Sequence, residues 1–240
     1  MLALIDYRYV RFYPFCRTPK ARVETIFGME VIRLTAVIGR RSGRCGKSAR
    51  ALSAVGADMA CFSEGFPARE KFNVREPSFS IAHEHLLPEM IARCGFEGDV
   101  ALLVAGADPR SGEMLKLLAQ RYRYVLTCGV PRGELERLRR TVGASVISEP
   151  SEEKIAEAEL AVCLRGIEKI KLSPECVAVA ANERHLDNVE YSKYMSQPDF
   201  DAPGVSPAGF DRRVLLSEAL RRGALSRCGL MLGNPQILTK

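Results

Sequence analysis

The sequence predicts an α/β protein whose sheet is doubly wound and mostly parallel. Between residues 99 and 181, short apolar runs rich in Val, Leu and Ala alternate with stretches whose apolar residues recur at helical spacing. Strands that alternate with helices of about ten residues form βαβ units, and right-handed crossovers assemble such units into a parallel sheet. With 240 residues and 47% hydrophobic residues, the chain is long and apolar enough to bury a sizeable core.

The elements of this central region follow in a regular order. "DVALLVAG", "YVLTCG", "ASVISE", "ELAVCL" and "CVAVAA" are predicted to be strands, because each is short, apolar and bounded by turn residues. Between them, "SGEMLKLLAQRY", "RGELERLRRTVG" and "SEEKIAEA" carry the helical periodicity. This region, residues 98–183, is the predicted central domain.

The N-terminal region, residues 1–97, is predicted to be a smaller and basic α/β region. "LALIDYRYVRFYPF" alternates as a strand does, and its simplest partner is the strand "MEVIRLTAVIG". "GKSARALSAVGA" is predicted to be a helix and "DMACFSE" a strand. "SIAHEHLLPEMIARCG" is predicted to be helical, with Pro88 near its first turns or breaking it.

The pattern weakens in residues 184–240, the predicted C-terminal region. Residues 186–211 contain three prolines and little periodicity, and a long span of this kind is usually functional or disordered. A lid, an interface arm and a mobile segment all remain open. "RRVLLSEALRRGAL" is then predicted to be a last amphipathic helix that stops near Gly223.

Several classes of protein are disfavoured by what the sequence lacks. No apolar stretch reaches the roughly 18 to 20 residues that span a bilayer, and the N-terminus does not resemble a signal peptide, so we expect a cytoplasmic protein without a membrane partner. The eight cysteines include no C-x-x-C pair, and the imidazoles of "HEH" would diverge on a helix, so we expect no metal site.

Positive charge is concentrated at the N-terminus. Residues 1–50 contain 11 Lys and Arg against 3 Asp and Glu, a balance of +8, so the remaining 190 residues carry −2. A polyanion, a phosphate-bearing ligand or a solvated basic face could explain the excess. In "DYRYVRFYPFCR" aromatic and basic residues interleave, as in proteins that bind single-stranded nucleic acid. A half-buried strand has the same pattern more often, so we do not expect a nucleic-acid partner.

The first glycine-rich turn lies in "TAVIGRRSGRCGKSARAL", residues 35–52. Gly46, Lys47 and Ser48 match the end of the phosphate-binding motif G-x-x-x-x-G-K-[ST], in which the lysine reaches the phosphate. Arg41 stands where the first glycine of that motif belongs. A phosphotransferase that uses Lys47 is therefore one alternative function.

The second turn, "VAGADPRSGEML", follows the apolar strand "DVALLVAG". Gly106 closes the strand, Gly112 opens a helix, and Asp108, Arg110 and Ser111 lie between them. This turn resembles the first βα turn of Rossmann-like NAD(P)-binding domains, where glycine lets the backbone approach a pyrophosphate. The resemblance covers residues 99–182.

The turn also departs from that family, since Asp108 replaces the middle glycine of G-x-G-x-x-G. The resemblance implies an acidic residue at the end of the second strand to hold the ribose, but Gly129 lies there, followed by Arg132. This excludes the usual device for NAD and leaves NADP, through its 2′-phosphate and Arg132.

We therefore predict a protein that binds a nucleotide or another phosphate-bearing small molecule at the carboxyl edge of a Rossmann-like sheet. The candidate ligand residues are Gly106, Asp108, Arg110, Ser111, Gly112, Gly129 and Arg132. Whether the protein is an enzyme stays open, since Lys47, Asp108 and His185 are candidates for acid or base by residue type alone. The other alternative is a non-catalytic regulatory or interaction protein with a degenerate ligand turn. The substrate and the oligomeric state do not follow from the sequence.

Overall fold

The computed structural model describes residues 1–41, 43–142, 145–166 and 169–240. Its helices are α1 (Gly46–Ala54), α2 (Ser80–Arg93), α3 (Ser111–Ala119), α4 (Arg132–Val142), α5 (Glu152–Ala156) and α6 (Arg212–Arg221). The strands of the N-terminal half are β1 (Leu2–Val10), β2 (Arg22–Ile26), β3 (Met29–Gly39), β4 (Met59–Phe62), β5 (Gly98–Val104) and β6 (Tyr122–Cys128). Those that follow are β7 (Ser145–Ser148), β8 (Leu160–Cys163), β9 (Ile170–Lys171), β10 (Val177–Ala180), β11 (Val189–Glu190), β12 (Lys193–Met195), β13 (Phe200–Asp201), β14 (Met231–Leu232) and β15 (Ile237–Thr239).

The chain divides into two compact units. The first unit contains residues 1–82 and 200–231, and the second contains residues 83–199 and 232–240. Residues 83–97, which the sequence pattern groups with the N-terminal region, therefore lie in the second unit. The predicted C-terminal region is divided between both units, because helix α6 packs its apolar face on the first sheet. None of the helices within the described ranges is both long and apolar enough to cross a bilayer.

The first unit is built on a four-stranded sheet with the order β2-β3-β1-β4. Strand β1 pairs with β3, the partner that the sequence analysis predicts for it, and runs parallel to it, while β2 forms an antiparallel hairpin with β3. Helix α1 connects β3 to β4, and apolar side chains from α1 and the segment around Phe66 and Phe72 cover one face. On the other face, Leu215 and Ala219 of α6 pack against Leu2.

The second unit contains a seven-stranded sheet with the order β15-β12-β10-β8-β5-β6-β7. Six of these strands are parallel, and only β15 at the edge runs antiparallel to its neighbour β12. If the six parallel strands are numbered along the chain, their spatial order is 3-2-1-4-5-6, which is the order of the Rossmann fold. The predicted fold class, α/β with a doubly wound and mostly parallel Rossmann-like sheet, is confirmed.

The elements predicted in the central region all form; most are shorter than the predicted runs, whereas β6 is longer than its run and begins two residues earlier, at Tyr122. Ala101, Leu102 and Leu103 of β5 are all completely buried, so both faces of this strand are covered, which explains its continuous apolar run. In the span 186–211 the chain makes strand β12, which extends the parallel sheet, and buries Met195 and Phe200. Helix α2 continues through Pro88 rather than breaking there.

Candidate functional site

The second sheet has one point at which its connections diverge. Strands β5 and β8 are hydrogen-bonded neighbours, but the chain leaves β5 towards β6 on one side and leaves β8 towards β10 on the other. In open α/β sheets such a divergence leaves a crevice beyond the carboxyl ends of the strands, where ligands bind. The loops at this crevice begin at Ala105 after β5, Gly129 after β6 and Leu164 after β8.

Two of these loops touch through their backbones. Gly106 has a φ of +55° and Gly129 a φ of +74°, values that L side chains rarely adopt. A Cβ on Gly129 would lie 3.0 Å from both the Cα and the N of Gly106. The pair therefore needs glycine at Gly129 for space as well as for conformation, and it leaves an edge of bare backbone that a ligand can approach.

Asp108 occupies the centre of the turn after β5, and its side chain is almost completely buried. Arg110 donates to it from the backbone N (2.9 Å), from Nε (2.8 Å) and from Nη2 (2.6 Å). Burial raises the pKa of the Asp108 carboxyl, but these hydrogen bonds outweigh burial and hold the pKa below its ordinary value. Asp108 is thus an ionised carboxylate that organises its own turn.

Arg110 is fully engaged by carboxylates. Besides Asp108, it contacts Glu84 of α2, with Nη1 at 2.9 Å from Oε2. The hydrogen bonds to Asp108 raise the pKa of Arg110 above its ordinary value, so it remains charged. Its charge is paired with two carboxylates, and Nε, Nη1 and Nη2 all donate within the protein. Arg110 is therefore poorly placed to bind a ligand phosphate.

The first turn of α3 is occupied by another carboxylate. Ser111 donates its hydroxyl hydrogen to Oε2 of Glu134 at 2.9 Å, and a Cβ on Gly112 would lie 2.9 Å from Oε1 of the same residue. Negative groups are stabilised at helix N-termini, and Glu134 takes that position here. A pyrophosphate seated on α3, as in the usual Rossmann arrangement, would have to displace Glu134.

Two arginines remain as candidates for ligand contact. Arg132 begins α4, is exposed, and has no side-chain partner among the residues that the structure describes. Arg165 follows β8 and is 55% exposed; its Nε is 3.6 Å from Oδ2 of Asp108, and its Cδ is 3.6 Å from the Cβ position of Gly106. The crevice is therefore bordered by cations on the sides of β6 and β8.

The sequence-based candidates overlooked Arg165 and two glutamates. Arg165 stands directly after the predicted strand "ELAVCL", so its position at a strand's carboxyl end was the available signal. Glu149 ends "ASVISE" and accepts a hydrogen bond from the N of Gly129 at 2.9 Å, which brings a carboxylate to the end of the second strand from the third. Glu134 lies within a helix, where nothing in the pattern marks it.

Comparison with known proteins gives a weak structural resemblance to NAD(P)-binding dehydrogenases. Δ(1)-pyrroline-2-carboxylate reductase of Thermococcus litoralis, in complex with NADH and L-proline, matches with a TM-score of 0.31 and 10% identity, over 53% of this chain and 40% of that one. L-tryptophan dehydrogenase of Nostoc punctiforme matches with a TM-score of 0.29 and 11% identity, over 79% and 69% of the two chains.

A third structure, aspartate transcarbamoylase of Trypanosoma cruzi in complex with phosphate, matches with a TM-score of 0.32 and 11% identity, over 79% of this chain and 72% of that one. No family model matches the sequence, and no curated protein matches it.

The other candidate turn, at the start of α1, lies in the first unit. Nζ of Lys47 donates to the carbonyl oxygens of Pro14 (2.8 Å) and Cys16 (2.6 Å), and its backbone N donates to the hydroxyl of Tyr13 (2.7 Å). Ser48 is completely buried, and its hydroxyl accepts a hydrogen bond from the N of Val37 at 2.9 Å. Both side chains have structural partners, and a phosphate would have to compete with them.

The residues suggested as acid or base are divided between the two units of the chain. Lys47 belongs to the first unit, whereas Asp108 and His185 belong to the second. His185 lies in a short 3-10 helix after β10, and the neighbouring Arg184 places its carbonyl oxygen 3.7 Å from the Cβ position of Gly166 in the loop after β8. His185 is therefore near the loops at the carboxyl edge of the sheet.

Proposed function

We propose that the second unit binds a phosphate-bearing nucleotide of the NADP type in the crevice between the loops after β5 and β8. The observation that carries the proposal is the bare backbone contact between Gly106 and Gly129, in the loops after β5 and β6, because β5 is one of the two strands from which the connections of the sheet diverge. Such a contact leaves room for a ligand to lie against the main chain at a place where Rossmann-like sheets bind their ligands.

The charges around this contact support a phosphate placed away from helix α3. Asp108 and Glu134 would repel a pyrophosphate at the first turn of that helix. Arg165 borders the crevice beside Gly106, and Arg132 lies three residues after Gly129. In the proposal, Arg132 contacts the 2′-phosphate, Arg165 contacts the pyrophosphate, and Arg110 holds the turn without touching the ligand.

Glu149 supports the adenosine end of this arrangement. Oε1 of Glu149 accepts a hydrogen bond from the N of Gly129, so its carboxylate lies beside the end of β6. At that position Rossmann-like domains hold the ribose. Because the 2′-oxygen of NADP⁺ carries a phosphate, the Glu149 carboxylate would accept the 3′-hydroxyl of the ribose, and the cation Arg132 would offset its repulsion of the 2′-phosphate.

Binding measurements on full-length protein test the proposal. We expect NADP⁺ to raise the stability by about 2.7 kcal/mol when it is present at 100 times its dissociation constant. Arg132→Ala should weaken NADP⁺ at least tenfold and leave NAD⁺ unchanged, whereas Arg165→Ala should weaken both nucleotides. Arg123→Ala is the matched control, since Arg123 is exposed at the amino end of β6 and stacks on Tyr124.

Three results would contradict the proposal. The first is that neither nucleotide changes the unfolding midpoint or gives heat on titration. The second is that Arg123→Ala weakens NADP⁺ binding as much as Arg132→Ala does. The third is that NADP⁺ and NAD⁺ lose affinity equally in Arg132→Ala. The last result would remove the assignment of the 2′-phosphate to Arg132 and with it the preference for NADP.

A further inference from the structure

The first unit has a cavity of about 500 Å³ on the face of its sheet that helix α6 covers only in part. Alternate residues of β1 and β3 share this face. Along the two strands, the side chains on it change from apolar to polar. Leu2 and Val31 pack beneath α6, while Asp6 and Thr35, which are paired across the strands, line the cavity. Its lining is Asp6, Arg8, Pro19, Lys20, Arg22, Glu24, Arg33 and Thr35.

One arginine, Arg33, contacts both carboxylates of the cavity. Nη2 of Arg33 lies 3.7 Å from Oδ2 of Asp6, and Nη1 of Arg33 lies 3.4 Å from Oε2 of Glu24. The two acids therefore face a cation already, and their repulsion of a bound anion is reduced.

The other three cations have no such partner. Arg8, Lys20 and Arg22 are exposed, and their side chains make no hydrogen bond or ion pair with any residue in the described ranges. The lining as a whole has four cations and two carboxylates, a net charge of +2. This is where part of the N-terminal excess of positive charge is collected.

The arrangement of the cations carries an energetic cost. Arg22 of β2 and Arg33 of β3 are direct partners in the antiparallel hairpin. Side chains that face each other across an antiparallel pair have Cβ atoms only about 5 Å apart, and like charges in that position are destabilising. An anion between them would replace this repulsion with attraction.

The lining also limits what the ligand can be. Among its residues only Pro19 offers an apolar surface, and no aromatic ring borders the cavity. A purine or a long hydrocarbon would find no wall to pack on, so recognition must come from charge and from hydrogen bonds of guanidinium, ammonium and hydroxyl groups. Arginine binds phosphate with two parallel N–H donors, which suits a ligand made of phosphate groups.

We infer that this cavity is a binding site for a compact polyphosphate, held by Arg8, Lys20 and Arg22 and distinct from the nucleotide site proposed for the second unit. A triphosphate-sized chain has several charged groups and no apolar part. It is therefore able to meet the three cations at once.

Calorimetric titration of the full chain with inorganic tripolyphosphate, pyrophosphate and phosphate, at constant ionic strength, tests this inference. We expect affinity to rise with the number of phosphate groups, and to fall at least tenfold for tripolyphosphate in the double variant Arg8→Ser, Arg22→Ser. The matched control is Arg50→Ser, Arg75→Ser, which removes the same charge from exposed positions of the same unit outside the cavity. In the control, the affinity should stay within twofold of wild type.

A second measurement does not depend on knowing the natural ligand. In the absence of anions, Arg22→Thr should raise the unfolding midpoint, because it removes the repulsion with Arg33. In wild type, tripolyphosphate should raise the midpoint, and in Arg22→Thr it should raise it less. Arg132→Ala with Arg165→Ala, which alters only the nucleotide site, should leave the tripolyphosphate affinity intact, so failure of one proposal is separable from failure of the other.

The inference is overturned if tripolyphosphate gives no heat, if the control variant loses as much affinity as the cavity variant, or if phosphate and tripolyphosphate bind equally. It is also overturned if a single-stranded oligonucleotide binds in a manner that depends on Arg8 and Arg22 while tripolyphosphate does not. That outcome would assign the cavity to a nucleic-acid backbone.

Discussion

Gly129 and Gly106 meet backbone to backbone, and a Cβ on Gly129 would lie 3.0 Å from both the Cα and the N of Gly106. The contact joins the loops after the first two strands of the Rossmann-like sheet. Neither partner can yield by rotating a side chain, because the atoms that would be approached belong to the main chain. The shape of the proposed nucleotide site therefore depends on this pair.

Gly129→Ala should destabilise the protein by about 2–4 kcal/mol, since a left-handed conformation costs an L residue roughly 1–2 kcal/mol and the backbone contact adds to it. Gly95→Ala is the control: Gly95 lies in the same unit with a φ of +64°, but its Cβ would meet nothing within 4 Å. We expect it to lose only the conformational part. Urea unfolding of both variants gives the comparison, and equal losses would contradict the role of the contact.

Lys47 is expected to act in stability rather than in phosphate transfer. Lys47→Met removes two hydrogen bonds from an ammonium to the carbonyls of Pro14 and Cys16, and should cost about 1–3 kcal/mol in the free energy of unfolding. Arg50→Met, an exposed change in the same helix, should cost less than about 0.5 kcal/mol.

The same pair of variants distinguishes the alternative function. We expect the shift of the unfolding midpoint with ATP and magnesium to be the same in wild type and in Lys47→Met. The absence of a shift in both proteins also agrees with this expectation. A stabilisation by ATP that Lys47→Met alone abolishes would favour the phosphotransferase alternative.

Glu218 of α6 should make the stability depend on acid pH. Its side chain is buried; burial raises its pKa, but hydrogen bonds from Arg221 (2.6 Å) and Arg222 (2.5 Å) outweigh burial and hold the pKa below the ordinary 4.5. A carboxyl whose pKa is lower in the folded state stabilises the protein above the unfolded pKa. That stabilisation is lost as the pH falls through the folded pKa.

We therefore expect the free energy of unfolding to decrease below about pH 5 and to decrease less steeply in Glu218→Gln. Denaturant unfolding at a series of pH values measures both slopes. Glu30→Gln, an exposed position on β3, should leave the slope as in wild type. An unchanged slope in Glu218→Gln would show that the Glu218 ion pairs do not contribute to the acid dependence.

The cysteines should fall into two reactivity classes. Cys228 is exposed, whereas burial raises the pKa of Cys61, Cys163 and Cys176 to about 12 and that of Cys128 to about 11. Because the thiolate is the reactive form, an aromatic disulfide reagent at pH 8 should modify Cys228 in a fast phase and these four at the rate of unfolding. Cys228→Ser should remove one thiol from the fast phase, to which the partly exposed Cys16 and Cys94 can also contribute. Fast modification of Cys163 in that variant would contradict the buried core.

How far the sequence predicts the fold depends on the kind of residue. The strands around Leu102 and Leu126 are buried on both faces, since successive residues of each are buried, so their apolar runs and the helices between them are sufficient to predict the Rossmann-like sheet. The division of the chain into two units is harder to predict from the sequence. Helix α6 follows β12 in the chain but packs on the first sheet, a choice between two apolar surfaces that no local pattern expresses.

The candidate site was predicted only in outline. Gly106 and Gly129 have the positive φ that glycine at the carboxyl end of a strand indicates, while their contact with a ligand stays a prediction. Arg110 is a candidate ligand residue by its place in the sequence, but it is engaged by Asp108 and Glu84, and the latter is 26 residues away in the sequence. Arg165 and Glu149 reach the same crevice from other strands, which only the strand order brings together.

The aromatic and basic pattern of the N-terminus shows the same division. Its alternation correctly predicts strand β1, which ends at Val10. Beyond it, Phe12 and Phe15 are exposed and Tyr13 is buried, with its hydroxyl accepting a hydrogen bond from the N of Lys47. No period distinguishes these three rings, since the difference arises from a contact with a residue 34 positions away.

By itself, the sequence determined the α/β class, the order of the strands and helices in the central region, the two glycine turns and the location of the positive charge, because burial, helix periodicity and backbone conformation act on neighbouring residues. Only the tertiary structure decided which charged side chains have a partner within the protein. Arg110 and Arg33 are paired with carboxylates and Lys47 donates to carbonyl oxygens, while Arg132 and Arg22 are left without a partner in the described ranges. The reason is physical: Coulomb interactions and hydrogen bonds depend on distances in space, which local sequence patterns do not encode.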